Sequence, residues 1–137
     1  MALIEPPAER RLFQLVVVAA SLVPIAAGGA GVVSGPAMIH NWAASNRDLD
    51  SHFRYLSGLL LAIGFCFPFG AAKIERRALL LKALGLIVIV GGLGRLASVV
   101  ATGLPDAGMR FGLVMELLVV PALLLWLRRI ESLPGST

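Results

Sequence analysis

Residues 78–104 read ALLLKALGLIVIVGGLGRLASVVATGL, and this stretch decides the fold. It carries two charges, Lys82 near its start and Arg95 toward its end. As a helix it would span about 40 Å, more than the roughly 30 Å hydrocarbon core of a bilayer. A helix that is apolar around its whole circumference belongs in lipid or deep in a large core. The chain is too short to build such a core, so the segment is expected to cross a membrane.

Working outward, three more apolar segments cover about 12–33, 55–72 and 111–127. The whole chain has 137 residues, 58% hydrophobic and 15% charged. Soluble domains carry about 45–50% apolar and about 25% charged residues, so a soluble globular protein is excluded. The expected architecture is all-α: one integral membrane domain over 1–137, a four-transmembrane-helix bundle with short connections and no separate catalytic domain. Arg10 and Arg11 before the first segment resemble the start of a signal peptide. That segment is too long for a signal core and lacks a clean small-x-small cleavage site, so it reads as a retained helix. The single cysteine, Cys66, excludes an intrachain disulfide and a thiolate metal cluster, and reads as a free buried thiol.

The net charge of +4 does not indicate a nucleic-acid partner, because no basic face with interleaved readers is present. The cations sit singly or in pairs at segment ends, where they set topology. Arg10, Arg11, Lys73, Arg76, Arg77, Arg128 and Arg129 fall on one side, and Arg47, Arg54 and Arg110 on the other. Lys82 can snorkel toward the richer side. Both termini are therefore expected to be cytoplasmic, with the 34–54 and 105–110 connections outside. Trp126 suits the inner interface, and Trp42 and Tyr55 the outer one.

In the first segment Gln14, Ser21, Gly28 and Gly35 recur every seven residues and form a seam for a packed neighbour. Pro24 and the run Gly28-Gly29-Ala30-Gly31 suggest a kink or a loosened outer half. The long connection SGPAMIHNWAASNRDLDSHFR, 34–54, breaks the hydropathy pattern. Pro36 fits a turn or a short helix, and Asn46 or Asp48 can cap the second helix. Asp50, Arg54 and Ser57, spaced four and three, share one helix face.

Ionisable groups inside apolar spans are costly and need partners. Arg95 and Glu116 both fall in the outer half, on consecutive antiparallel helices, where they can meet. Gly91, Arg95, Ser98 and Thr102 form a stripe that would let a helix approach and help to satisfy the guanidinium. Asp50, His52, Arg54, Arg95, Ser98 and Glu116 are the candidate ligand-binding set, with His40 and Asp48 on the nearby loop. Several readings stay open. The charges can be a structural ion pair that fixes register. They can form a site for a small lipophilic or amphipathic ligand or a membrane partner. They can support acid–base chemistry on a lipid-like substrate, with Glu116, His52 and Asp50 as candidate catalytic groups. A small transporter subunit is a further alternative, and the chain is also a candidate homo-oligomer. His40 and His52 lack metal-ligand spacing, no haem pair faces across helices, and no nucleotide-binding or nucleophile-elbow motif occurs. No metal or cofactor is expected, and the bilayer is the expected partner.

The run Asp50-Ser51-His52-Phe53-Arg54-Tyr55-Leu56-Ser57-Gly58, then Gly94-Arg95-Leu96-Ala97-Ser98, then Glu116, resembles the bacterial membrane family known as domain of unknown function 4345. The resemblance covers about residues 12–128. It implies a small four-helix protein of the bacterial cytoplasmic (inner) membrane, without an activity. In layout it is also distantly similar to the DoxX-like group. A fold-level likeness extends to the four-to-five-helix sterol-isomerase and sigma-receptor bundles, which place acidic residues in a lipophilic pocket.

Overall fold

The computed structural model describes residues 6–39 and 46–132. His40 and Trp42 lie outside the described residues. Four helices follow one another: α1 (Pro6–Ser34), α2 (Arg47–Ala71), α3 (Ile74–Thr102) and α4 (Ala107–Glu131). All four are long and apolar enough to cross a membrane. A short 3₁₀ turn, Gly35–Met38, follows α1 and contains Pro36.

The helices run past the apolar spans that announce them. Helix α2 starts at Arg47 because Asn46 caps it, accepting hydrogen bonds from the amides of Asp48 and Leu49 at 3.0 and 3.2 Å. The polar residues before Tyr55 are therefore helical. Asp106 caps α4 in the same way, through the Met109 amide at 2.9 Å. Helix α1 continues through Pro24 and the glycine run without interruption.

One end of the molecule, which carries the first turn of α1 and the last turn of α4, is closed by a shared core. Phe13 and Val17 of α1, Ala71 of α2, Ile74 and Leu81 of α3, and Leu127 and Ile130 of α4 are buried together. Phe13 meets Trp126 edge-on, with ring centroids 5.4 Å apart. Three ion pairs cross between helices here: Glu9 with Arg129 at 3.1 Å, Arg10 with Glu75 at 3.0 Å, and Lys82 with Glu131 at 2.8 Å. The Gln14 amide donates to the Ala71 carbonyl at 2.9 Å. Cations that read only as topology signals are thus also paired with Glu9, Glu75 and Glu131. These turns are polar and still helical, because the pairs hold them in place.

Glu9 is only 6% exposed and also accepts the Trp126 indole N–H at 3.1 Å. Its replacement by alanine leaves that donor and Arg129 without their shared acceptor. The expected cost is about 1–3 kcal/mol. A change in Trp126 fluorescence on Glu9→Ala, with Glu131→Ala as the comparison, checks it.

Away from this end the bundle is two hairpins. The heptad seam of α1 faces α2. A Cβ on Gly28 would lie 2.6 Å from the Leu61 amide nitrogen, and one on Gly64 would lie 2.7 Å from the Ile25 side chain. Helices α3 and α4 meet in the same manner through Gly85, against Leu124, and Gly92, against Glu116 and Leu117. Gly91, expected to receive a neighbour, has open space around it. The adjacent residue Gly92 faces α4 instead. Helix α1 approaches α4 only along Val120–Glu131, and α2 makes no close approach to α4 among the described residues.

Candidate functional site

The site grows from an irregularity in α4. Pro121 has no amide hydrogen, and its ring would crowd the carbonyl four residues earlier in a regular α-helix. The chain responds with a π turn at Met115–Val119, in which the Val120 amide bonds to the Met115 carbonyl. Such a turn accommodates one extra residue. Glu116 and Leu124, eight residues apart, would face about 80° apart in an unbroken α-helix. With one residue absorbed they behave as if seven apart, which is within about 20°. Their partners on α3, Gly92 and Gly85, are seven apart. The π turn is what lets both side chains face α3, and Pro121 is its signal in the sequence.

Glu116 then meets Arg95. Arg95 Nε donates to one carboxylate oxygen and Nη2 to the other, each at 3.0 Å. This forked geometry matches a planar guanidinium to a planar carboxylate. The two side chains are 30% and 15% exposed. Nη1 approaches the Met109 sulfur at 2.8 Å, and Gly112 lies beside the guanidinium. Met109 was not legible as a partner, since thioethers are weak acceptors. The hydroxyls expected to satisfy the guanidinium do not bond to it. Thr102 donates to the Ser98 carbonyl at 2.9 Å.

Ser98 and Thr102 instead line a cavity beside Arg95. It has a volume of about 270 Å³ and is open to the surface. Val99, Leu104, Pro105 and Met109 complete its wall, so it lies between α3 and α4 beneath their connection. A guanidinium has five N–H donors. Three serve Glu116 and Met109, which leaves two beyond those contacts.

The six sequence-derived residues fall into two groups. Arg95, Ser98 and Glu116 are at this α3–α4 site. Asp50 and Arg54 are at the α1–α2 end, where Arg54 forks onto Asp50 at 2.9 and 3.3 Å. The same guanidinium donates to the carbonyls of Val32 and Val33, at 2.6 and 2.9 Å. A cation on the last carbonyls of a helix satisfies groups that have no intrahelical partner. Gly35 permits this: its φ of +59° suits glycine, and a Cβ would collide with Arg54 and Asp50. Ser57 is buried between α1 and α2, bonded to the Phe53 carbonyl at 2.8 Å. His52 is exposed, tilted over Tyr55 with ring centroids 6.5 Å apart. Spacing put Asp50, Arg54 and Ser57 on one face, and that face meets α1.

No group of three or more His, Cys, Asp or Glu side chains among the described residues could hold a metal ion. Residues 12–127 match the family described as "Domain of unknown function (DUF4345)". The chain belongs to that family. No curated protein and no solved structure matches it. The matched range contains all four apolar helices except their outermost turns, both charged pairs and the π turn. In this DUF4345 protein the D-S-H-x-R-Y-x-x-G stretch therefore supplies the α1–α2 clamp, and the G-R-x-x-S stretch supplies the wall of the α3–α4 cavity. The chain is a four-span membrane protein of unknown function.

Proposed function

We propose that this protein binds a small amphipathic molecule by a polar or anionic head at the Arg95 cavity, with its apolar part lying along the lipid-facing helices. The observation that carries the reading is an arginine inside an apolar span with an open cavity at its side. A purely structural pair would need only each other, whereas here Arg95 keeps two further N–H donors and lines, with Ser98 and Thr102, a space completed by Val99, Gly103, Leu104, Pro105 and Met109. A volume of about 270 Å³ suits a headgroup and is small for a whole lipid. In this reading Glu116 has one task, to hold the guanidinium plane toward the cavity. By the distribution of Lys and Arg, both termini lie in the cytoplasm of a bacterium, and the cavity opens on the outer side of its inner membrane.

Mass spectrometry of lipids and metabolites that co-purify with the protein tests this. Ser98→Phe fills the cavity from an exposed position and keeps both partners of the ion pair. The expected result is one amphipathic species held by the unaltered protein, reduced at least tenfold in Ser98→Phe. The same reduction is expected in Glu116→Gln. Identical profiles in all three proteins overturn the proposal.

A further inference from the structure

The closed end of the bundle carries more positive charge than its ion pairs use. The acidic residues there, Glu9, Glu75 and Glu131, bind Arg129, Arg10 and Lys82. Arg77 donates to the Phe69 carbonyl at 2.6 Å and lies over the Phe69 ring at 3.6 Å. Four cations remain, Arg11, Lys73, Arg76 and Arg128. All are exposed, and none has an ion-pair partner among the described residues.

The ion pairs also fix where these four stand. Arg11 adjoins Arg10, which is bound to Glu75, and Glu75 is flanked by Lys73 and Arg76. Arg128 adjoins Arg129, which is bound to Glu9 at the start of α1. The four therefore ring one end of the bundle at the level of Trp126, an interfacial side chain. Orienting a helix needs only a bias in Lys and Arg count, not this many unpaired charges gathered on α1, the α2–α3 turn, α3 and α4.

We infer that this ring is a binding surface for anionic phospholipid headgroups, separate from the Arg95 cavity. The phosphodiester of each lipid accepts hydrogen bonds from one or two of the four cations, while its acyl chains lie against the exposed apolar faces of the helices. A basic group near an anionic surface contributes about fivefold to association, so the four together give a strong preference. Such a preference is screened by salt.

The test reconstitutes the full chain in nanodiscs of equal phosphatidylglycerol and phosphatidylcholine, then counts retained lipids by native mass spectrometry. Phosphatidylglycerol is expected to be retained at least fivefold over phosphatidylcholine. The preference is expected to fall in high salt and to vanish in R11Q/K73Q/R76Q/R128Q. Arg47→Gln/Arg110→Gln, which removes two cations from the other end, controls for position and should keep it. Equal retention of the two lipids by the unaltered protein overturns the inference, as does an undiminished preference in the fourfold variant. Because Ser98 lies toward the other end of α3, Ser98→Phe should leave the preference unchanged. Failure of the cavity proposal is thereby distinguishable.

Discussion

Replacement of Arg95 by methionine should destabilise the protein by about 3 kcal/mol, read from unfolding in detergent or lipid. Methionine keeps most of the apolar stem and packs softly, so little of the effect comes from lost volume. The effect comes from Glu116. Both carboxylate oxygens are bound by the guanidinium, and the residue packs against Gly92 in an apolar span. Without Arg95 the carboxylate is left in an apolar span with no cation beside it. Glu116→Gln should cost less, since the amide oxygen still accepts one bond from Arg95 and the guanidinium left without its carboxylate is the more exposed of the two groups. The double variant Arg95→Met/Glu116→Gln should recover most of the loss, because the uncompensated charge is then gone. An additive double variant would show that the pair has no coupling and that Arg95 stabilises the hairpin by packing alone.

Arg95→Lys separates charge from geometry. Lysine keeps the cation but offers a point charge in place of the two-pronged fork. Partial recovery is expected relative to methionine, together with loss of any ligand held by the two remaining N–H groups.

How much of this was legible follows from what each residue type signals. Four helices were readable because length and apolar content answer to bilayer thickness, a constraint outside the protein. The Arg95–Glu116 contact was readable because depth from a shared end can be counted along antiparallel helices. Rotation is harder to count. The stripe through Gly91 followed from spacing along α3 alone, which shows which residues share a face but not which face meets α4. That face lies one residue round, through Gly85 and Gly92. Backbone acceptors carry no residue identity, so the Val32 and Val33 carbonyls could not be named as partners of Arg54. The two hairpins likewise meet at one end through ordinary residues such as Phe13, Val17 and Leu127, whose pairing no local pattern specifies. A set of polar residues at one apparent level therefore divided between two hairpins.

The seam between α1 and α2 gives the second large effect. A Cβ at position 28 would stand 2.6 Å from the Leu61 amide nitrogen and 2.8 Å from the Ser57 carbonyl oxygen. Both atoms belong to the α2 backbone, so no rotamer change can make room, and the helices must separate. Gly28→Ala should cost about 2–3 kcal/mol, at the upper part of the range for overpacked positions. In lipid the cost is felt fully, because close packing rather than water exclusion holds such helices together. Gly29→Ala is the matched control, with nothing within 4 Å of its added Cβ. It should be neutral or slightly stabilising, since alanine is the better helix former. Separation at Gly28 would propagate one turn along the seam to Gly31, against Ser57, and then to Gly35, where Arg54 reaches the Val32 and Val33 carbonyls. Faster proteolysis in the 35–46 connection of Gly28→Ala, absent in Gly29→Ala, is the expected signature. If the two variants unfold at the same denaturant concentration, α1 and α2 do not pack through this seam.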